Sequence, residues 1–209
     1  MNDRPDDRFD DIEALLRRDA TAFASSFDLA GLAEQADREG LIDVAWCRVD
    51  SPIGPLVVAG TDRGLLTVSF SDPDEALQSV VERISPRVLE HPARLDPARR
   101  QLDEYFAGRR HEFDLQLDRR LSRGFRAQVL AELERVEFGH TVSYAELAER
   151  AGNPKASRAV GSAMATNPLP IVVPCHRVLR TGGQLGGYGG GLDAKRWLLA
   201  HEGAPVPRR

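Results

Sequence analysis

The apolar residues change their period along this chain of 209 residues, and that change limits the fold more than any other feature. Residues 44–70 hold three short apolar runs, VAWCRV, PLVVAG and LLTVSF. Asp50-Ser51-Pro52-Ile53-Gly54 and Thr61-Asp62-Arg63-Gly64 separate them, and such clusters form turns. Short apolar runs between turns predict the strands of a small antiparallel sheet. Helices are predicted around Pro73–Ile84 and Pro97–Phe106. From residue 121 the period becomes helical: FRAQVLAELERV carries Phe125, Val129, Leu130 and Leu133, with Gly139 as its stop. Ahead of the strands, DDIEALLRRDATAFASSF places Ile12, Leu15, Leu16 and Phe23 near helical spacing. DLAGLAEQADREG follows with Leu29, Leu32 and Ala33 before Gly40. The expectation is an α+β chain in three parts. Residues 1–40 form an N-terminal helical extension without chemistry of its own. Residues 41–120 form a small α+β domain, and residues 121–209 a mostly helical domain.

Composition narrows the function classes. The chain is 42% hydrophobic and 29% charged, as soluble globular proteins are. No apolar run approaches the roughly 20 residues that span a bilayer. The N-terminus, MNDRPDDRFDD, lacks the apolar core of a signal peptide, so a cytoplasmic protein without a membrane partner is expected. A cytosol keeps Cys47 and Cys175 reduced. His91, His111, His140, His176 and His201 form no cluster with Cys47, so no metal site is expected. Cys47 lies on a predicted strand between Trp46 and Arg48 and reads as a small buried hydrophobe. The net charge of −4 conceals an asymmetry. Residues 121–209 hold 12 Lys and Arg against 7 Asp and Glu, so the C-terminal part is basic and the rest acidic. A basic half suits a polyanion; it also suits an ordinary solvated surface.

Within the basic half, Ser143-Tyr144-Ala145-Glu146 has the form of a capping box, which predicts a helix from about Tyr144 to Ala151. Gly152 ends it, and Asn153-Pro154 predicts the start of another, PKASRAVGSAMAT. Two short helices around a tight turn make a helix-turn-helix. Ala156, Ala159, Gly161, Ala163 and Ala165 line the second helix. Small residues allow close approach, either to another helix or to a nucleic-acid groove. Arg158 lacks an evident acidic partner on its helix, which favours the groove.

Next comes Asn167-Pro168-Leu169-Pro170-Ile171-Val172-Val173-Pro174-Cys175-His176-Arg177-Val178. Prolines restrict the backbone and hold Cys175 in a fixed place. The thiolate is the reactive form of cysteine, and a neighbouring proton acceptor promotes it. His176 is adjacent in sequence but need not touch Cys175; a water can bridge them. Glu202, in the predicted closing helix Leu192–Glu202, is a candidate to orient the imidazole. A Cys-His dipeptide alone is common by chance, so the surrounding stretch carries the weight.

That stretch resembles the catalytic domain of the O6-alkylguanine-DNA alkyltransferases. The matching segments are Thr141–Glu146 (TVSYAE), Ala151–Ala156 (AGNPKA), Arg158–Ala163 (RAVGSA), Asn167-Pro168, Ile171–Val178 (IVVPCHRV) and Ala194–Gly203 (AKRWLLAHEG). SPIGPL and GLLTVSF extend a looser likeness over residues 44–120, and residues 1–40 lie outside it. The resemblance implies a protein that moves an alkyl group from O6 of guanine in double-stranded DNA, with O4-alkylthymine as a further substrate, onto Cys175. It implies that His176 deprotonates Cys175 through a water and that Glu202 orients His176. It makes Tyr144 the proton donor to the leaving guanine and a neighbour of the phosphate 3′ of the flipped base. Arg158 becomes the finger that fills the gap in the duplex, and Asn167 the tie between the helix-turn-helix and the active-site turn. Ala145, Asn153 and Thr181 fall near the DNA backbone, and Pro170, Tyr188 and Gly189 in the alkyl pocket. A thioether product with no means of cleavage implies one turnover per molecule and no cofactor. The protein is expected to be a monomer in solution, able to assemble cooperatively on DNA.

Departures from the family pattern refine this. Gly182–Gly191 (GGQLGGYGGG) is unusually rich in glycine. It lacks the Lys-Ser/Thr of a P-loop and a Rossmann setting. Gly189 offers only backbone where relatives place a side chain, which predicts a roomier pocket for alkyl groups larger than methyl. The zinc ligands and cysteine-rich domain of some relatives are missing. Three other readings compete: a lesion sensor without transfer, a sequence-specific transcription factor, and a cysteine hydrolase. The sensor lacks the acceptor thiol, the factor needs polar base-reading side chains, and the hydrolase needs Cys and His in direct contact.

Overall fold

The computed structural model of the protein describes residues 29–206. They divide into two compact units, one ending at Leu41 and the other starting at Ile42. The first holds helix α1 (Leu29–Arg38); the helix expected around Ile12–Phe23 lies outside the described residues.

The second unit begins with the sheet. Strands β1 (Val44–Val49), β2 (Leu56–Thr61) and β3 (Gly64–Ser69) fall on the three apolar runs. β1 and β2 pair antiparallel from Ala45↔Gly60 to Val49↔Leu56, and β2 pairs antiparallel with β3 through a bulge at Ala59/Gly60. Helix α2 (Pro73–Arg83) then crosses over, and β4 (Val88–Glu90) returns beside β1. The crossover makes β4 parallel to β1, so the order is β3-β2-β1-β4 and the sheet is mixed rather than wholly antiparallel.

Both faces of the sheet are covered, which is why its strands read as nearly unbroken apolar runs. Side chains alternate across a strand. Val57 and Ala59 therefore join Leu77 and Val80 of α2 on one face. Leu56 and Val58 join Leu102 and Tyr105 of helix α3 (Asp96–Phe106) on the other. Cys47 lies in this second layer, 1% exposed, and burial pushes its thiol up to about 11.

The same core runs without a break into the helical half. Val129, Leu130 and Leu133 of α4 (Phe125–Leu133), Leu147 of α5 (Tyr144–Arg150), Val160 of α6 (Ser157–Ala165) and Leu198 of α7 (Gly191–His201) all belong to it. Helices α4, α5 and α6 pack on one another. A short parallel pair, β5 (Val142–Ser143) with β6 (Val178–Leu179), joins the start of α5 to the segment after Cys175. Among the described residues no helix is long and apolar enough to cross a membrane.

Two helix boundaries differ from the sequence reading. Helix α4 stops at Leu133, well before Gly139, because the chain turns through Arg135 and Val136. Helix α6 starts at Ser157 rather than at Asn153-Pro154. The Ala156 amide donates to the Asn153 carbonyl at 2.9 Å, with Pro154 as the second residue of a turn. Proline fits that turn position as well as it fits a first helical turn, so local sequence does not separate the two.

The capping box of α5 is complete. The Glu146 amide donates to Ser143 Oγ at 3.1 Å, and the Ser143 amide donates to Glu146 Oε2 at 2.8 Å. This cap fixes the backbone at Tyr144, the first residue of the helix. Ser143→Ala is expected to cost about 1 kcal/mol and to lower the thermal midpoint by about 2–4 °C. An unchanged midpoint in a calorimetric scan would show that the cap holds nothing that β5 does not already hold.

Candidate active site

Cys175 opens a short 3-10 turn, Cys175–Arg177, and is 5% exposed. The approach to it is rigid for identifiable reasons. Asn167 donates from Nδ2 to the Val173 carbonyl at 2.8 Å and accepts the Leu169 amide on Oδ1 at 3.0 Å. One side chain thus ties both ends of the segment leading to Cys175. Within that segment Ile171 has φ +75°. A β-branched residue in that region costs on the order of 1–3 kcal/mol and persists only where its surroundings over-determine it. Here they do, since Ile171 is 1% exposed and lies inside the loop that Asn167 closes.

Behind Cys175 sits a buried polar network. His176 is fully buried, and its Nε2 lies 2.8 Å from Glu202 Oε1. Arg177 donates from Nε to Glu202 Oε2 and from Nη2 to Oε1, each at 2.8 Å, and from Nη1 to the Val136 carbonyl at 2.5 Å. Tyr105, from α3, donates its hydroxyl to Glu202 Oε1 at 2.7 Å. Burial pushes the Glu202 carboxyl up; the hydrogen bonds from His176 and Arg177 outweigh it and hold the group well below the usual carboxylate range. Burial pulls His176 below its ordinary value despite the Glu202 hydrogen bond, so the imidazole is neutral at pH 7.

The other imidazole nitrogen, Nδ1, is buried and has no hydrogen-bond partner among the described residues. With Nε2 donating to Glu202, Nδ1 carries the lone pair and can take a proton. Cys175 and His176 are therefore not directly hydrogen-bonded, as a cysteine hydrolase would require. Burial raises the Cys175 thiol above the usual cysteine value, partly offset by a hydrogen bond from the Asn167 side chain and the charge of Lys195. At rest the residue is a thiol.

Two tyrosines lie near enough to Cys175 for its charge to act on them. Burial raises Tyr144, and the proximity of Cys175 adds to the effect. Tyr188 is raised well above its ordinary value by burial first and then by Cys175, Tyr105 and Glu202, and its buried hydroxyl has no partner among the described residues. Both phenols remain protonated near Cys175 and can donate a proton or a hydrogen bond. Pro170 is buried in the turn, and Gly189 is exposed beside Tyr188. Arg158, Ala145, Asn153 and Thr181 are all exposed, and Arg158 forms no ion pair among the described residues. On α6, Ala163 is buried with Val160 and Met164, while Ala159 and Ala165 face solvent, so the small residues serve both a packed face and an open one.

Sequence reasoning missed Tyr105, Arg177 as a ligand of Glu202, and Lys195. Lys195 is fully buried, donates from Nζ to the Val178 carbonyl at 2.7 Å, and is drawn down to about 8 by burial. Nothing in a helical period marks these residues, because their partners lie far off in sequence. Among the described residues, no group of three or more His, Cys, Asp or Glu is placed to hold a metal.

Comparison with known proteins agrees with this geometry. Residues 124–204 match the model of the 6-O-methylguanine DNA methyltransferase DNA-binding domain, and residues 37–119 match that of its ribonuclease-like domain. The chain belongs to this family, the O6-alkylguanine-DNA alkyltransferases. A relative from Mycolicibacterium paratuberculosis, a methylated-DNA--protein-cysteine methyltransferase, is 46% identical over 74% of this chain and 89% of its own. The human protein of that name is 41% identical over 74% of this chain and 78% of its own. The Mycobacterium tuberculosis O6-methylguanine methyltransferase has a crystal structure with TM-score 0.65 and 39% identity, covering 78% of this chain and 96% of that one. The M. tuberculosis protein in complex with DNA gives TM-score 0.66 at 39% identity, over the same shares of the two chains.

Because the folded carboxyl of Glu202 lies far below its ordinary value of 4.5, its contribution to stability is full above pH 4.5. That contribution is lost progressively as pH falls below 4.5. Glu202→Gln is expected to destabilise the protein by about 3 kcal/mol or more, since Arg177 stays buried without its counter-charge. Denaturant melts of both proteins from pH 7 to pH 4 check this: the gap should narrow toward acid, and a gap independent of pH would mean that Glu202 is not ionised in the folded state.

Proposed function

We propose that the protein repairs DNA by transferring the alkyl group of O6-alkylguanine, and of O4-alkylthymine, to its own Cys175, once per molecule. The observation that carries this reading is the buried His176–Glu202 pair directly after Cys175 in the chain, with Nε2 held by the carboxylate and Nδ1 without a partner among the described residues. Family membership and a DNA complex of a relative at 39% identity support DNA as the partner.

In this reading Cys175 gives its proton, through a bridging water, to His176 Nδ1, and Glu202 stabilises the imidazolium that forms. The sulfur attacks the alkyl carbon; a C–S bond forms as the C–O bond breaks, and the electron pair stays on guanine O6. Tyr144 donates a proton to the leaving guanine. The proton from the thiol stays on His176 until solvent removes it, and the Tyr144 phenolate takes one back. No external cofactor enters the balance.

A carbon on O6 is shielded within stacked DNA, so the nucleotide must swing out, at a cost of about a few kcal/mol. Arg158, exposed and without an ion pair on α6, occupies the gap in the duplex. The open side of α6, with Ala159 and Ala165, suits close approach to a minor groove read by shape rather than by sequence. Ala145, Asn153 and Thr181 meet the DNA backbone, while Pro170, Tyr188 and Gly189 bound a pocket that admits alkyl groups larger than methyl. The protein acts in the cytoplasm as a monomer and assembles cooperatively on DNA. Asn167 acts by holding the turn, so it is a positioning residue.

Intact mass after incubation with duplex DNA carrying one O6-methylguanine tests this. Wild type should gain one methyl group, mapped to Cys175 and saturating at one per protein, and Cys175→Ser should gain none. Tyr144→Phe should slow single-turnover transfer by about 10²-fold or more. Tight lesion binding without mass gain would instead make the protein a sensor.

A further inference from the structure

Phe70 follows directly on β3, in the sheet half, yet its ring sits against the glycine-rich loop beside the active site. Its ring meets that of Tyr188 edge-on, with centroids 5.4 Å apart and planes at 65°. A Cβ on Gly190 would lie 2.7 Å from the Phe70 ring, and one on Gly189 would lie 3.8 Å from it. The space that a side chain at either position would enter is thus bounded by Phe70, and Gly190 can carry none unless the ring moves. Further along the same loop, a Cβ on Gly186 would lie 2.3 Å from the Tyr144 hydroxyl. Tyr144 thus fills the space beside Gly186, Phe70 fills the space beside Gly190, and the Phe70 ring also meets Tyr188 between them.

The backbone that carries Phe70 is fixed just ahead of it. The last part of β3 is fastened to the active-site turn, where Thr67 Oγ1 and the Val68 amide both donate to the Pro168 carbonyl, at 2.9 Å and 2.8 Å. Pro168 follows Asn167, which closes the segment carrying Cys175. Cys175 and Phe70 thus hang from neighbouring points of one hydrogen-bonded frame. The loop itself is rich in glycine, has wide conformational freedom and few side chains to pack. Its position must come from what touches it.

We propose that Phe70 is a specificity-determining residue: its ring sets how far the Tyr188–Gly190 segment stands from Cys175, and so how large an alkyl group the sulfur can reach. The inference rests on the alkyl-transfer reading above. Phe70 acts by positioning Tyr188 and the glycine backbone. Removing the ring opens volume behind the segment, which can then yield to a wide planar substituent. A methyl group needs no such room and gains nothing from it.

The test is single-turnover transfer from duplex DNA carrying O6-methylguanine or O6-benzylguanine, for wild type, Phe70→Ala and Phe70→Leu. The benzyl-to-methyl rate ratio should rise on the order of tenfold in Phe70→Ala and by less in Phe70→Leu. Duplex affinity should not change. Amide exchange at residues 186–191 should accelerate in Phe70→Ala while exchange in β1 and β2 does not, which separates loosening of the loop from general destabilisation. A ratio equal to that of wild type in the folded variants, with normal methyl transfer, overturns the proposal and leaves the transfer reading intact. If Phe70→Ala does not fold, the ratio for Phe70→Leu decides alone. If wild type transfers neither group to Cys175, the transfer reading itself fails and the proposal falls with it.

Discussion

The carboxylate of Glu202 is the interaction on which the rest of the site depends. It is buried, ionised and shared among Tyr105, His176, Arg177 and the Gly139 amide, four donors from three parts of the chain. A buried charge is costly unless its hydrogen bonds are nearly complete, and half-satisfied networks are worse than apolar cores. This one is nearly complete, and that fixes more than one residue. The His176 ring is oriented, its tautomer is set, and Arg177 is carried to the Val136 carbonyl at the end of the α4 segment. Because Glu202 caps the last helix, the C-terminal helix is locked to the turn that carries Cys175.

The sheet half takes part in this arrangement throughout. Tyr105 reaches Glu202 from α3, Thr67 and Val68 hold Pro168, and Phe70 lies on the glycine loop. The hydrophobic core is likewise continuous from Val58 of the sheet to Val173 and Cys175 of the active-site turn. The helical half carries the residues of the proposed chemistry. The sheet half supplies the rigid surface against which they are held.

Much of this was legible in the sequence wherever a local rule applied. The three apolar runs marked β1 to β3, and Ser143 with Glu146 marked the start of α5, because periodicity and capping are written in neighbouring residues. Cys175, His176 and Glu202 stood out through the proline-bracketed motif and the closing helix, although their roles remain proposals. The parts that were not legible depend on distant partners. Tyr105 and Glu202 are 97 positions apart. Buried Lys195 looks like an ordinary helix-surface residue until its carbonyl partner at Val178 is seen. The start of α6 was misplaced because proline after asparagine serves a turn as readily as a helix. Gly189 predicted a roomier pocket, but nothing nearby in sequence marked Phe70 as the ring beside Gly189 and Gly190.

The small β5–β6 pair has a consequence of its own. Val142↔Val178 and Ser143↔Leu179 are its only two rungs. Tyr144 follows one strand directly, and Cys175 precedes the other by three residues. The separation of phenol and sulfur is therefore counted in strand register, which changes only in whole residues and reverses side-chain facing with each step. Such a gauge cannot drift gradually over evolutionary time. A single residue gained or lost between Cys175 and Val178 would put the phenol and the sulfur out of step at once.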